Sequence, residues 1–311
     1  PAGRLTTTLL AEASPDAAGV IAGDVVLVGA GDPYLTSARL RVLARRLDEL
    51  GVRRIDGRVL GDGDVFDELR GSYDSGWAWD SDLGGSLGGL VVDGGTGADP
   101  ARHAAERLAR ILDRRGIESR GAGAGEIDGE AVLLAQIGSA PMSTIALRIN
   151  VPSDNFAAEM LLKQLGAEFG AGGTTPAGVD VVGATLAPLG VEARMADGSG
   201  LSRVNRVRTR ELVDLLDAME DAAGSEALWL SLPRAGIDGT LADRMEGTAA
   251  EGDCRAKTGT LSDVSALSGY CATAGGRLVA FSLLENGMST VAAKRVEDRM
   301  VEAIARFDPG P

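Results

Sequence analysis

The chain has 311 residues, 44% of them apolar and 24% charged. This is ordinary globular usage, with length for one large domain or two smaller ones, so disorder is excluded as the default reading. Acidic residues outnumber basic ones 45 to 31, a net charge of −14, which argues against nucleic acid as a partner because a polyphosphate calls for a basic stripe. No apolar run approaches the ~18 residues that would cross a bilayer, so no membrane-spanning segment is expected in this chain.

The start carries no signal-peptide pattern. It opens on Pro1 rather than Met, in Pro1-Ala-Gly-Arg-Leu-Thr-Thr-Thr8, which already reads as a strand and suggests a processed or truncated protein. Residues 20–29 alternate apolar and small side chains and run into the turn Gly29-Ala-Gly-Asp-Pro33, predicting a strand. Leu40, Leu43, Leu47 and Leu50 fall at helical spacing, predicting a helix over 37–50 that stops at Gly51. Residues 52–61 read as another strand. Residues 71–95, rich in glycine, show no period and are expected to form a loop or lining, with Trp77 and Trp79 as packing anchors.

Asp99-Pro100 opens a helix over 101–115, stopped by Gly116. His103, the only histidine, reads there as a surface or packing residue, so neither a His-based triad nor a metal site is expected. A strand over 131–136 and helices over 141–148, 155–169 and 210–219 follow. The glycine-rich 121–125 is the best candidate boundary. Strands over 255–261, 264–273 and 277–285 with short links predict an antiparallel meander, covered by a closing helix over 290–307.

Arg strongly outnumbers Lys. Lys163 and Lys294 fall in predicted helices and read as surface residues, which singles out Lys257. Cys254 and Cys271 are the only cysteines; by count they permit one disulfide in an oxidising compartment or two buried thiols in a reducing one. A hairpin centred on Ser262-Asp263 would put them directly opposite each other, ~4.5–5.5 Å between Cα atoms and within disulfide reach. A Cys254–Cys271 bond is therefore expected if the protein folds outside the cytosol.

Two tripeptides carry the chemistry. Ser153-Asp154-Asn155 precedes a helix, where all three residue types cap well; Lys257-Thr258-Gly259 lies on a strand, where alone it would be an ordinary surface lysine. In this order and about a hundred residues apart they resemble the Ser-Asp-Asn and Lys-Thr-Gly members of the signature set of class A β-lactamases and penicillin-binding proteins. Acyl transfer on a C-terminal D-Ala-D-Ala needs a cation for the terminal carboxylate, a proton route to the leaving amine, and oxyanion donors. Lys257 with the Thr258 and Thr260 hydroxyls can supply the anion site, and the backbone N–H near Thr260 an oxyanion donor. Ser153 can relay a proton, and the Asn155 amide can hold substrate backbone or position a lysine.

Gly29-Ala-Gly-Asp-Pro-Tyr-Leu35, Gly76-Trp-Ala-Trp-Asp80, Asp197-Gly-Ser-Gly-Leu-Ser-Arg203 and Gly239-Thr-Leu-Ala-Asp-Arg244, ahead of Ala256-Lys-Thr-Gly-Thr-Leu261, narrow the resemblance to the low-molecular-mass class C penicillin-binding proteins over nearly the whole chain. That resemblance implies an α+β fold: a transpeptidase-like domain of antiparallel sheet flanked by helices, residues 1–12 and 125–311, interrupted by a smaller inserted α/β domain, 13–124. The insertion looks shorter than in the larger members of the family. It also implies a serine-type D-alanyl-D-alanine carboxypeptidase/endopeptidase acting on peptidoglycan stem peptides through an acyl-enzyme. Such an enzyme is inhibited by β-lactams, needs no cofactor, and works on the extracytoplasmic side, secreted or anchored through an upstream segment.

Two departures qualify it. The family nucleophile lies in Ser-x-x-Lys, yet Met160, Cys254 and Val291 stand three residues before the three lysines. The motif is expected upstream of Pro1; were it absent from the natural protein, the fold would serve as a non-catalytic peptidoglycan- or partner-binding pseudoenzyme. In relatives an acidic residue and the Arg of Gly-Leu-Ser-Arg line a pocket for the peptide's free amino end. Asp82, or less well Asp80, matches the acid and Arg203 the Arg, but Gly84-Gly-Ser-Leu-Gly-Gly89 replaces the aromatic residues that usually follow. A solvated turn carboxylate is the competing reading of Asp82.

Overall fold

The computed structural model describes residues 2–95, 97–127 and 129–308. Pro1 lies outside them; the opening strand, β1, is Thr6–Ala11. The single strand expected over 20–29 divides into β2 (Val20–Ile21) and β3 (Val25–Val28). Between them Gly23 takes φ +86°, a conformation that breaks the strand and that glycine adopts without a Cβ penalty. After α1 (Ser37–Glu49), the strand expected over 52–61 likewise divides, into β4 (Arg54–Ile55) and β5 (Val59–Asp62). Helix α2 (Pro100–Asp113) is capped by Asp99, whose side chain accepts from the Arg102 N–H at 2.9 Å. Strand β6 (Ala122–Ala124) occupies the glycine-rich stretch, and β7 is Val132–Gly138.

These strands make one mixed sheet, in the order β6-β5-β3-β1-β7. β1 pairs antiparallel with both β3 and β7, while β3, β5 and β6 run parallel. Its core is an aliphatic layer in which Leu40, Leu43 and Leu47 of α1 and Leu108 of α2 meet Leu9 and Leu27 of the sheet, all fully buried.

Helices α3 (Met142–Asn150), α4 (Asn155–Phe169), α5 (Thr175–Leu186), α6 (Thr209–Glu220) and α7 (Ser225–Ser231) follow. The meander then forms as expected: β8 (Cys254–Leu261), β9 (Val264–Ala272) and β10 (Leu278–Asn286), order β10-β9-β8. Helix α8 (Thr290–Ala305) lays Val301 and Ala305 on its Leu267 and Phe281. Cys254 and Cys271 face each other across β8 and β9 and are bonded. Among the described residues no helix is long and apolar enough to cross a membrane.

Two side chains are not where composition put them. Trp79 is 63% exposed rather than a packing anchor. Lys163, expected on a helix surface, is fully buried, its ammonium bonded to the Asp67 carboxylate and the Leu69 carbonyl.

Candidate active site

Ser153 sits in the short link between α3 and α4, with φ +62°. The next residue, Asp154, is the N-cap of α4: its Oδ1 accepts from the Ala157 N–H at 2.9 Å. Across from this link lies β8, and Lys257 Nζ donates to Ser153 Oγ at 2.6 Å and to the Thr258 carbonyl at 2.6 Å. Burial pulls the Lys257 ammonium down to about 8. Desolvation disfavours the charged form, and neither contact offers a compensating negative charge.

The distance between β8 and the Ser153 link is set by Gly239-Thr240. The Thr258 hydroxyl donates to Thr240 Oγ at 2.8 Å, and the Thr240 N–H donates to the Val151 carbonyl at 3.1 Å. A Cβ on Gly239 would lie 2.3 Å from that same carbonyl, so only glycine allows the approach. Thr240 was missed as a site residue, although the motif containing it was visible.

Strand β8 is an edge strand, and among the described residues its outer side takes backbone partners only at its start. There the Ala256 N–H donates to the Pro233 carbonyl at 3.0 Å, with a bridge from Arg234 to Arg255. Because strand N–H groups alternate in direction, those of Thr258 and Thr260 point to the same outer side as that of Ala256. Thr260 is exposed and Gly259 half-buried. Lys257 forms part of the wall of two cavities. One, of about 310 Å³, is also lined by Ser153, Asn155, Asp197 and Ser199. The other, of about 480 Å³, is lined by Thr258 and Gly259 with Leu212, Leu215 and Met219 of α6.

Asn155 turns away from Lys257, its amide donating to the Asp82 carbonyl at 3.1 Å. The Asp82 carboxylate is on the surface, and among the described residues no ion pair joins it to Arg203. Arg203 instead reaches the β8–β9 turn, pairing with Asp263 at 2.6 Å and donating to Ser262 Oγ at 2.8 Å. Asp74, which the sequence reading passed over, accepts from the Ser202 hydroxyl at 2.7 Å and the Arg203 N–H at 3.1 Å.

The Asp197–Arg203 loop is built from within. Asp197 accepts from the Gly200 and Ser202 N–H groups and from the Asn205 amide. Glu159 of α4, nearly fully buried, accepts at one oxygen from Gly198 N–H, Ser199 N–H and Ser199 Oγ at 2.9 to 3.0 Å. Burial raises the Glu159 carboxyl above its ordinary value, against those bonds.

Residues 2–86 and 92–307 match the D-Ala-D-Ala carboxypeptidase 3 (S13) family. The chain belongs to that family. Among S13 relatives, a D-alanyl-D-alanine carboxypeptidase of Actinomadura sp. strain R39 is 32% identical over 392 residues, covering 97% of this chain and 72% of the relative. The fold is that of penicillin binding protein 4 from Haemophilus influenzae, whose crystal structure superposes with a TM-score of 0.85 at 21% identity, covering 98% of this chain and 87% of that one. A structure of the same protein complexed with a β-lactam gives a TM-score of 0.81 at 20% identity, with 98% and 86% covered. The α+β, penicillin-binding fold read from the sequence is therefore the observed one.

Proposed function

We propose that this S13 member is a serine-type D-alanyl-D-alanine carboxypeptidase/endopeptidase that cleaves peptidoglycan stem peptides through an acyl-enzyme on the extracytoplasmic side and is acylated by β-lactams. The observation that carries the reading is the contact of Lys257 Nζ with Ser153 Oγ at the wall of a cavity. The nucleophile is the serine of a Ser-x-x-Lys segment preceding Pro1, seated beside Lys257. Residues 1–12 and 125–311 are the catalytic body, with 13–124 inserted in it.

The substrate lies along the open outer edge of β8 as an added strand. Its terminal carboxylate meets the Lys257 ammonium and the Thr260 hydroxyl beside Gly259, while Thr258 holds the strand through Thr240. The Thr260 N–H, pointing outward, is placed to donate to the oxyanion. As the serine oxygen bonds to the scissile carbonyl carbon its proton passes to the lysine of its own Ser-x-x-Lys; as the C–N bond breaks, the Ser153 hydroxyl gives its proton to the leaving amine and takes that lysine's proton in its place. Water then hydrolyses the ester. Asn155 fixes the Asp82 loop at the site's rim. Arg203, at the β8–β9 turn, would be freed for a carboxylate of the stem peptide by releasing Asp263.

The test uses the natural protein extended upstream to its Ser-x-x-Lys serine. Fluorescent penicillin should label it covalently, and Lys257→Ala should slow D-Ala-D-Ala cleavage by about one to two powers of ten, the weight of one charge-assisted bond. The 311-residue chain alone should not label. Equal rates in a folded Lys257→Ala variant would remove the Lys-Thr-Gly assignment. Labelling of the 311-residue chain would move the nucleophile to a serine within it, and an extended protein that never labels would favour the binding pseudoenzyme.

A further inference from the structure

Three consecutive side chains at the start of α4 leave in three directions. Ser153 meets Lys257, Asp154 accepts from the Tyr34 hydroxyl at 3.0 Å, and Asn155 donates to the Asp82 carbonyl. Ser153 does so from a left-handed backbone, φ +62°, which a non-glycine residue keeps only where its surroundings over-determine it. Upstream, the link is tied at Val151 by the Thr240 N–H. Downstream, everything rests on Asp154. Its N–H donates to the Ile149 carbonyl at 2.8 Å, one carboxylate oxygen closes the first turn of α4, and the other takes the Tyr34 hydroxyl.

Tyr34 is itself held from two sides. Its N–H donates to Asp32 Oδ1 at 2.9 Å within the Gly29–Leu35 turn, and the Arg148 guanidinium of α3 lies 5.4 Å from its ring centre. Burial, then the neighbouring Asp154 carboxylate, raise the phenol's pKa well above its ordinary value, so the hydroxyl keeps its proton and remains a donor.

We infer that Tyr34 is a positioning residue: by pinning Asp154 it holds the left-handed Ser153 where Ser153 Oγ meets Lys257 Nζ. That this contact serves catalysis rests on the function proposed above; the contact itself does not. Without the phenol oxygen the outer carboxylate oxygen of Asp154 has lost its fixed partner. The turn can then relax toward ordinary φ, carrying Ser153 away and admitting water to the lysine.

The chain has three lysines, Lys163, Lys257 and Lys294, so ¹³C-labelled lysine gives three ε-methylene titrations by NMR on the 311-residue protein, with no nucleophile or substrate needed. Tyr34→Phe should raise the Lys257 midpoint by about half a pH unit or more as desolvation is relieved, while that of core-enclosed Lys163 stays where it was. In a Ser153→Ala background the same change should move Lys257 by less than about 0.2 unit, since the route through Ser153 is gone. An unmoved Lys257 in the single variant, equal shifts in both backgrounds, or Lys163 moving together with Lys257 would each overturn the inference. Failure of peptidase activity in the extended protein would leave these titrations unaffected, so the two readings fail separately.

Discussion

Two buried lysines in one molecule show what Lys257 lacks. Burial lowers both ammonium groups. For Lys163, Asp67 in contact and Glu159 nearby pull the other way, so its charge is compensated inside the fold. Among the described residues, Lys257 hydrogen-bonds to a hydroxyl and a carbonyl and pairs with no carboxylate. An ammonium buried without an anion is costly to the folded protein, and it is also what a site for a substrate carboxylate requires. The sign of its pH dependence follows. With its midpoint at about 8, Lys257 is charged below that pH and neutral above, so kcat/KM of the extended enzyme for a D-Ala-D-Ala peptide should fall above about pH 8. For a single essential ionisation of the free enzyme the decline approaches about tenfold per pH unit. A profile flat from pH 7 to 10 would show that the ammonium is not the carboxylate's partner. At this scale Ser153 and Lys257 were legible because their tripeptides are distinctive. Tyr34 and Asp74 were not: single residues joined to the site by contacts 120 and 128 residues long in sequence leave no local pattern.

Elements were legible where apolar period and stop signals coincide, as in α1, α2, α4 and the meander. Helix α5 was missed because Gly178 and Gly183 and its short side chains blur any stripe; packing on α4 makes the helix, with a Cβ on Gly178 falling 2.1 Å from the Leu162 carbonyl. The polar group between α8 and β10 was equally hidden, although the closing helix over the meander was read from the sequence. There Glu285 of β10 faces the fully buried Glu297 of α8, with Arg244 and Asp298 completing the group. Burial and then the Glu297 carboxylate raise the Glu285 carboxyl to about 7. A carboxyl raised on folding stabilises fully below its unfolded value, near 4.5, and the stabilisation is lost as pH rises through about 7, when Glu285 takes on charge beside Glu297. The melting temperature should therefore fall between pH 5 and pH 8 in the natural sequence, and fall less in Glu285→Gln, which keeps the hydrogen bond to Glu297 without the second charge. Parallel pH dependences in the two proteins would rule the pair out as the cause.

At the scale of the whole molecule, residues 13–124, which we propose as an insertion, share structure with the rest of the chain at several places, three of which bear on the site. The mixed sheet runs β3 beside β1 and β1 beside β7, so strands of both parts lie in one hydrogen-bonded layer. The buried Lys163 of α4 is tied to the Asp67 carboxylate and the Leu69 carbonyl, both in that segment. Around the site, Tyr34, Asp74 and Asp82 of the segment bond Asp154, the Ser202–Arg203 corner and Asn155. Separating the parts would expose sheet edges and strand a buried ammonium, losses that fall together, so the chain should unfold in one cooperative transition although its sequence reads as a body with an insertion. The tryptophans allow the check, since Trp77 and Trp79 lie in the segment and Trp229 in α7. Urea unfolding of Trp229→Phe followed by fluorescence reports the segment; unfolding of the Trp77→Phe/Trp79→Phe variant reports the remainder, and far-UV circular dichroism reports both. Within each variant the fluorescence and circular-dichroism midpoints should coincide. A fluorescence transition of the segment that precedes the loss of helix, reproduced in both variants, would show that residues 13–124 fold apart from the body that holds Ser153 and Lys257.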